Sequence, residues 1–390
     1  MKVAAIIAEY NPFHNGHEFQ IKKIREILGE DTAIVAIMSG NFTQRAEPAI
    51  FEKFTRARAA VDSGVNLVLE LPFPHSSASA EYFADAAIRL VAPFGNKLIF
   101  GSESGDVEKL HSIARFCESS EFSTEYEKLL ADGEGAGSAF TAVLNSRGYG
   151  SLSSNDILGI SYIRAIIRNK LSLEPIAVSR IGAAYNEKNE VCGDIQSATA
   201  IRKMIDSEEI DKLEKYIPKV MCEKLKDEYE AGCLTDLNEL DDLILGFFRL
   251  CDAERLLDIA DTSGGIANRL VSAAKQSTTA AEMLEVVRTK RYTDAKLRRA
   301  VLYSLTGTPA SALKVAPKYT LLLATNEKGR ELLAKNRKYG STHVVTKPAD
   351  APNNTEQYRL SEKLDSVYSL ARKNKYSCDF FLKKGAYIQK

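Results

Sequence analysis

Val3-Ala4-Ala5-Ile6-Ile7-Ala8-Glu9-Tyr10-Asn11-Pro12-Phe13-His14-Asn15-Gly16-His17 is the stretch that decides the fold. Residues 3–8 are an unbroken apolar run, the pattern of a strand buried on both faces. After a short loop, residues 17–28 show helical spacing and end at Gly29. A His-x-Gly-His tetrad where a strand hands over to a helix builds a phosphate site. The helix N-terminus offers unpaired N–H groups and a partial positive charge. Gly16 lets the backbone approach a ligand with no Cβ in the way. The imidazoles of His14 and His17 add donors for charge developing on a triphosphate.

Outward from that turn, strands at 33–38, 67–71 and 97–100 alternate with helices at 51–63 and 79–91. A helix at 155–169, a strand at 175–179 and a helix at 197–206 continue the alternation. Between them, 128–150 is rich in Gly, Ala and Ser and reads as a helix followed by a loose connection. Apolar strands separated by helices imply a parallel sheet covered on both faces, a Rossmann-like α/β domain. Ligands of such sheets sit beyond the carboxyl ends of the strands, where 9–16, 39–47, 71–75 and 101–106 all fall. The second half changes character, with helical periodicity at 237–250, 254–258, 269–275, 281–289 and 294–305. One strand at 319–324 and helices at 327–335 and around 361–372 close the chain. The expected organisation is an α/β domain over 1–208, then a mainly helical region over 209–390 with a small α+β end segment.

A second element strengthens the phosphate reading. Ser197-Ala198-Thr199-Ala200-Ile201-Arg202 opens a helix with hydroxyls that cap it or touch phosphate. Arg202, within the first turns, is placed to fork onto phosphate oxygens. The tetrad and this Ser-x-Thr-x-x-Arg run together resemble the nucleotidylyltransferase superfamily. The likeness is narrower still. Glu9 to His17, Met38 to Arg45 with Glu47-Pro48-Ala49, Leu69-Glu70-Leu71-Pro72, Phe100-Gly101-Ser102-Glu103, Ser154 to Gly159 and Arg180-Ile181-Gly182 resemble the bacterial tRNA(Met) cytidine acetate ligases. Lys290-Arg291-Tyr292-Thr293 and Leu297-Arg298-Arg299 extend that resemblance into the helical half.

The resemblance implies ATP-dependent acetylation. Acetate attacks the α-phosphate of ATP, giving acetyl-adenylate and pyrophosphate. The N4 amine of the wobble cytidine of elongator tRNA(Met) then takes the acetyl group and releases AMP. His14, His17 and Arg202 are the expected catalytic residues. ATP contacts are expected from Ile7, Ala8, Glu9, Tyr10, Asn11, Phe13, His14, Gly16, His17 and Gln20, and from Gly101, Asn155, Arg180, Ile181, Ser197 and Thr199. Magnesium is expected with ATP, although no carboxylate cluster identifies its ligands. Gln20 stands where the family commonly has histidine, and Ala46 where glycine precedes the Glu-Pro pair.

Composition fits this reading. The 390 residues suffice for two or three compact units, and 52 basic residues balance 52 acidic ones. No whole-protein field therefore advertises a nucleic acid, and RNA contact must be local. Arg288, Lys290, Arg291, Lys296, Arg298 and Arg299 form such a patch, opposed by Asp294, with Tyr292 available for stacking on an unpaired base. A solvated helix face is the plain alternative for it. Six cysteines without a C-x-x-C pair read as reduced. No signal peptide or membrane-spanning run is expected, which suggests a cytoplasmic protein with neither a membrane nor a DNA partner. The competing functions are an adenylyltransferase acting on a small phosphorylated metabolite and an RNA-binding protein with a degenerate nucleotide site.

Overall fold

The computed structural model describes residues 2–179, 194–289 and 291–389. The chain opens β1 (Val3–Ala8), α1 (Asn15–Leu28), β2 (Ala33–Ser39), α2 (Lys53–Asp62), β3 (Leu67–Leu71), α3 (Ala80–Val91) and β4 (Lys97–Ser102). It continues through α4 (Val107–Cys117), α5 (Ser120–Ala131), α6 (Ala136–Ser146), α7 (Ser154–Arg168), β5 (Glu174–Ser179) and α8 (Ala198–Asp206). The helical half holds α9 (Lys219–Glu230), α10 (Asp241–Leu250), α11 (Ile266–Ala274), α12 (Ala280–Val287) and α13 (Asp294–Thr306). The chain closes with β6 (Thr320–Thr325), α14 (Glu327–Tyr339), β7 (Val344–Val345), α15 (Glu356–Leu370), α16 (Phe380–Lys383) and β8 (Tyr387–Ile388).

The sheet runs β5-β4-β1-β2-β3-β6-β7, with β8 also on β6. β1 pairs in parallel with both β2 and β4, so the chain changes direction across the sheet at β1. That is the switch point beyond which such sheets hold ligands, and the tetrad leaves β1 there. Alternation by twos along each strand splits the core. Ala4, Ile6, Ile34, Ala36 and Met38 face one cluster, and Val3, Ala5, Ala33, Val35 and Ile37 the other. The second cluster is closed by α3, α4 and α7. The first runs without a break into the helical half, through Phe248, Leu270, Leu297 and Tyr303.

The expected α/β class and its alternation hold, with two differences. The stretch 128–150 holds parts of two helices where one was expected: α5 ends at Ala131, and α6 buries Ala139, Val143 and Leu144 before the connection that follows it. Its small residues disguise a stripe at helical spacing. More consequential is the end segment. β6 lies antiparallel beside β3, so strands after residue 319 extend the same sheet that residues 1–208 begin. The helical residues between are thereby anchored at both ends to one sheet.

Candidate active site

The tetrad forms its own cap. His14 is the N-cap of α1, and its Nδ1 accepts from Gly16 N at 3.0 Å. His17 Nδ1 accepts from His14 N at 3.2 Å, closing a capping box built of two imidazoles. With both Nδ1 atoms accepting, the neutral rings carry their proton on Nε2, an inference from the bonding pattern. The rings stack with centroids 3.8 Å apart. Tyr10 and Phe13, both buried, hold the His17 ring at 4.8 and 5.3 Å. A Cβ at Gly16 would fall 2.8 Å from His14 Cε1, so the folded-back histidine ring is a reason for glycine there beyond the one expected.

Arg202 reaches this turn from α8. Its Nη1 donates to Asn11 O at 2.9 Å and its Nη2 to Thr199 Oγ1 at 3.3 Å. Ser197 caps α8 by accepting from Ala200 N at 3.1 Å. Asn15 completes the union, its side-chain amide donating to Asp194 O and Lys215 O at 3.0 and 2.9 Å. His14, His17, Thr199 and Arg202 are thus brought together across nearly two hundred residues. Ile7, Ala8 and Gln20 lie half-buried around the same turn.

Other expected residues have definite tasks. The Asn11 side chain accepts from Ile50 N at 2.8 Å, which commits it to the loop before α2. Glu9 accepts from Gln44 N at 2.8 Å. Burial pushes its carboxyl above the ordinary range, against the Gln44 bond and the nearby Arg202, Arg56 and Arg45. Gln44 spends its amide on Ala78 O at 2.9 Å, so it fastens the loop. Gly101 lies in β4 beside Val178. Asn155 donates to Glu103, which also accepts from Ser153, joining the β4 loop to α7. Ser153 caps α7, and the buried Asp156 accepts from Ser102 and Ser104. Arg180 and Ile181 lie outside the described residues.

Sequence reasoning missed the buried cations behind this edge. Arg56 is fully buried and donates to Phe51 O at 2.9 Å, to Ser39 O at 3.2 Å, and to Glu9 O and Gly40 O. It gathers the carbonyls where β1 and β2 end. Lys53 sits 3.0 Å from both Glu70 and Asp365. A signal existed: both cations fall on the apolar side of α2, among Phe54, Ala57 and Ala60.

The basic patch is only partly as expected. Arg299 is buried and ion-paired to Asp261 at 2.6 Å, so it is not available to RNA. Its place on the inner side of α13, next to Ala300 and Tyr303, is the reason. Arg288 is forked onto Asp294 at 2.9 and 2.7 Å. Arg298 bonds to Arg45 O at 3.2 Å and Glu47 at 3.3 Å. Arg291 and Lys296 flank the Tyr292 ring at 5.7 and 5.4 Å. Lys290 lies outside the described residues.

A parallel sheet with paired imidazoles at its switch point, met by an arginine from a Ser-x-Thr helix, defines a nucleotidylyltransferase-type site. The model of the HIGH nucleotidyl transferase family matches residues 1–380. The tRNA(Met) cytidine acetate ligase of Acetivibrio thermocellus is 36% identical over 371 residues, covering 90% of this chain and 89% of that one. Its counterpart from Thermosipho africanus is 35% identical, covering 90% and 85%. The crystal structure of Thermotoga maritima TmcAL bound with alpha-thio ATP superposes with a TM-score of 0.88 at 29% identity, covering 100% of this chain and 99% of that one. The chain belongs to the tRNA(Met) cytidine acetate ligase family of HIGH nucleotidyl transferases. Among the described residues no helix is long and apolar enough to cross a membrane.

Proposed function

We propose that this protein is an ATP-dependent, AMP-forming ligase that acetylates N4 of the wobble cytidine of elongator tRNA(Met). The observation that carries the reading is the meeting of His14, His17 and Arg202 at one strand end, with relatives named for that reaction. Adenylyl transfer needs positioning and charge stabilisation more than covalent chemistry. The N-terminus of α1 and the two imidazoles receive the phosphates, and Arg202 steadies the departing pyrophosphate while holding the loop through Asn11. The adenosine lies along 7–20, with Gly101, Asn155, Ser197 and Thr199 around it, and the family resemblance adds Arg180 and Ile181 as expected contacts. Among the described residues no three His, Cys, Asp or Glu side chains are grouped to hold a metal. Magnesium is the expected companion of ATP, whose phosphates and waters are its usual ligands.

Acetate is the acyl donor, and the helical half, 209–390, docks the tRNA in the cytoplasm. The test is nucleoside mass spectrometry of an elongator tRNA(Met) transcript after incubation with protein, magnesium, ATP and acetate. Acetylcytidine that depends on both ATP and acetate is the expected result. ATP cleavage that needs a phosphorylated metabolite instead of acetate would replace this reading with the small-molecule adenylyltransferase.

A further inference from the structure

A cavity of about 350 Å³ lies between α8, α12 and α13 and the loop before α2. That volume is at the lower end of the ~300–1,000 Å³ range of small-ligand pockets. α8 contributes Arg202 and Asp206, four residues apart and so on one helix face. Arg202 touches Asn11 O in the loop that leads to His14, so the cavity begins where the phosphate site ends. Leu284 and Pro48 give it apolar walls suited to a flat ring, and Arg288 and Arg298 stand beside them. Both arginines are occupied by carboxylates, Asp294 and Glu47, that backbone phosphates of an RNA can displace. Asp206 differs: among the described residues it takes part in no ion pair. Asp206 is an exposed residue at the mouth of the cavity, where a base can reach it, and partial burial raises its carboxyl, with help from Asp236, while Arg202 opposes the rise.

We propose that this cavity receives the unstacked cytosine of the RNA and that Asp206 accepts a hydrogen bond, then a proton, from its exocyclic amine. The inference rests on the tRNA-acetylating reading above. Aspartate is a natural partner for the cytosine amine, which is a donor. A base taken out of its stack is commonly held between apolar side chains and read along its pairing edge. In the transfer step the amine nitrogen attacks the carbonyl carbon of acetyl-adenylate. The new C–N bond forms, the acyl C–O bond to phosphate breaks, and its electron pair leaves on AMP. One amine proton passes to the Asp206 carboxylate and then to water.

Two assays separate the half-reactions: acetate-dependent ATP–pyrophosphate exchange for the first, and single-turnover acetyl transfer to tRNA(Met) for the second. For Asp206→Asn, transfer should fall by about 100-fold or more, the usual scale of general base catalysis, while exchange continues. Leu284→Trp, which fills the cavity, should likewise lose transfer and keep exchange. Transfer at the normal rate in either variant overturns the proposal, as does equal loss of both half-reactions in Asp206→Asn. A natural protein that exchanges pyrophosphate with acetate yet never acetylates tRNA overturns the functional reading itself, and this assignment with it.

Discussion

His17 has two tasks, and they are separable by measurement. Its Nδ1 caps α1, worth about 1 kcal/mol, and under the proposed function its ring, stacked on His14, also meets the phosphates. His17→Ala should lower acetate-dependent pyrophosphate exchange by about 100-fold or more, as loss of a transition-state donor does. Its melting temperature should fall by only a few degrees; a large drop matching the lost activity would leave His17 as a cap alone. His75 is the contrasting case, a buried histidine in the turn after Pro74. Burial pushes its imidazole down to about 4, against backbone hydrogen bonds to Val315 and Leu313 and the charge of Asp85. The unfolded chain takes up a proton near 6.5 and the folded one only near 4. Stability from this group is therefore full above pH 6.5 and lost as pH falls towards 4. Between pH 7 and 5 that loss is about 2 kcal/mol, and His75→Gln should lack it. Denaturant midpoints at the two pH values decide, and an unchanged difference would refute the assignment. In the sequence the two cases differ by context: His14 and His17 lie in a strand–turn–helix signature, and His75 lies between Pro74 and Ser76 in none. Illegible at this scale was the packing constraint on Gly16, over which the His14 ring folds back.

At the scale of elements, a buried polar joint ties the sheet to α15. Lys53, the first residue of α2, bridges Glu70 of β3 and Asp365 of α15, and Asn41 donates to Asp365 at 2.8 Å while accepting from Lys53 N. Burial pulls the Lys53 ammonium down, but Asp365 and Glu70 outweigh it and hold the group above its ordinary range. Burial pushes the Glu70 carboxyl up, with Lys53 opposing. Lys53→Met removes the one cation between two carboxylates and should cost about 3–5 kcal/mol. Acidification should shrink that deficit, because in the variant Glu70, whose carboxyl is already pushed up by burial, no longer repels Asp365 once protonated. Urea unfolding at pH 7 and pH 5 measures both effects, and a cost that grows on acidification would contradict the account. The five parallel strands were legible because each is a short apolar run between helices. The place of β6 was not. Its own run is clear, but nothing local says that it pairs with β3, some 250 residues away, rather than with a strand of its own segment.

Over the whole molecule, the balance of 52 basic against 52 acidic residues makes tRNA docking a local matter. The patch read from the sequence as one run divides in the fold into three kinds of cation. Arg299 is spent on Asp261, Arg288 and Arg298 line the cavity on carboxylate partners, and Arg291 and Lys296 lie about Tyr292. Periodicity alone does not sort them, because which face of α13 turns inward depends on its neighbours. Replacing Arg291 and Lys296 together with alanine should weaken tRNA(Met) binding. It should also flatten the dependence of log affinity on log salt by about 1–2, at ~0.7 per lost phosphate contact on unpaired RNA. Acetate-dependent pyrophosphate exchange should continue, because these side chains stand on α13 and the turn before it, away from the tetrad. Arg299→Ala should behave in the opposite way, lowering the melting temperature by breaking a buried pair and altering the salt slope little. Fluorescence anisotropy of labelled tRNA(Met) across about 50–200 mM salt reads the slopes directly. Equal slopes for the double variant and the natural protein would return Arg291 and Lys296 to the status of a solvated helix face, and tRNA docking would then have to be sought on another surface of the helical half.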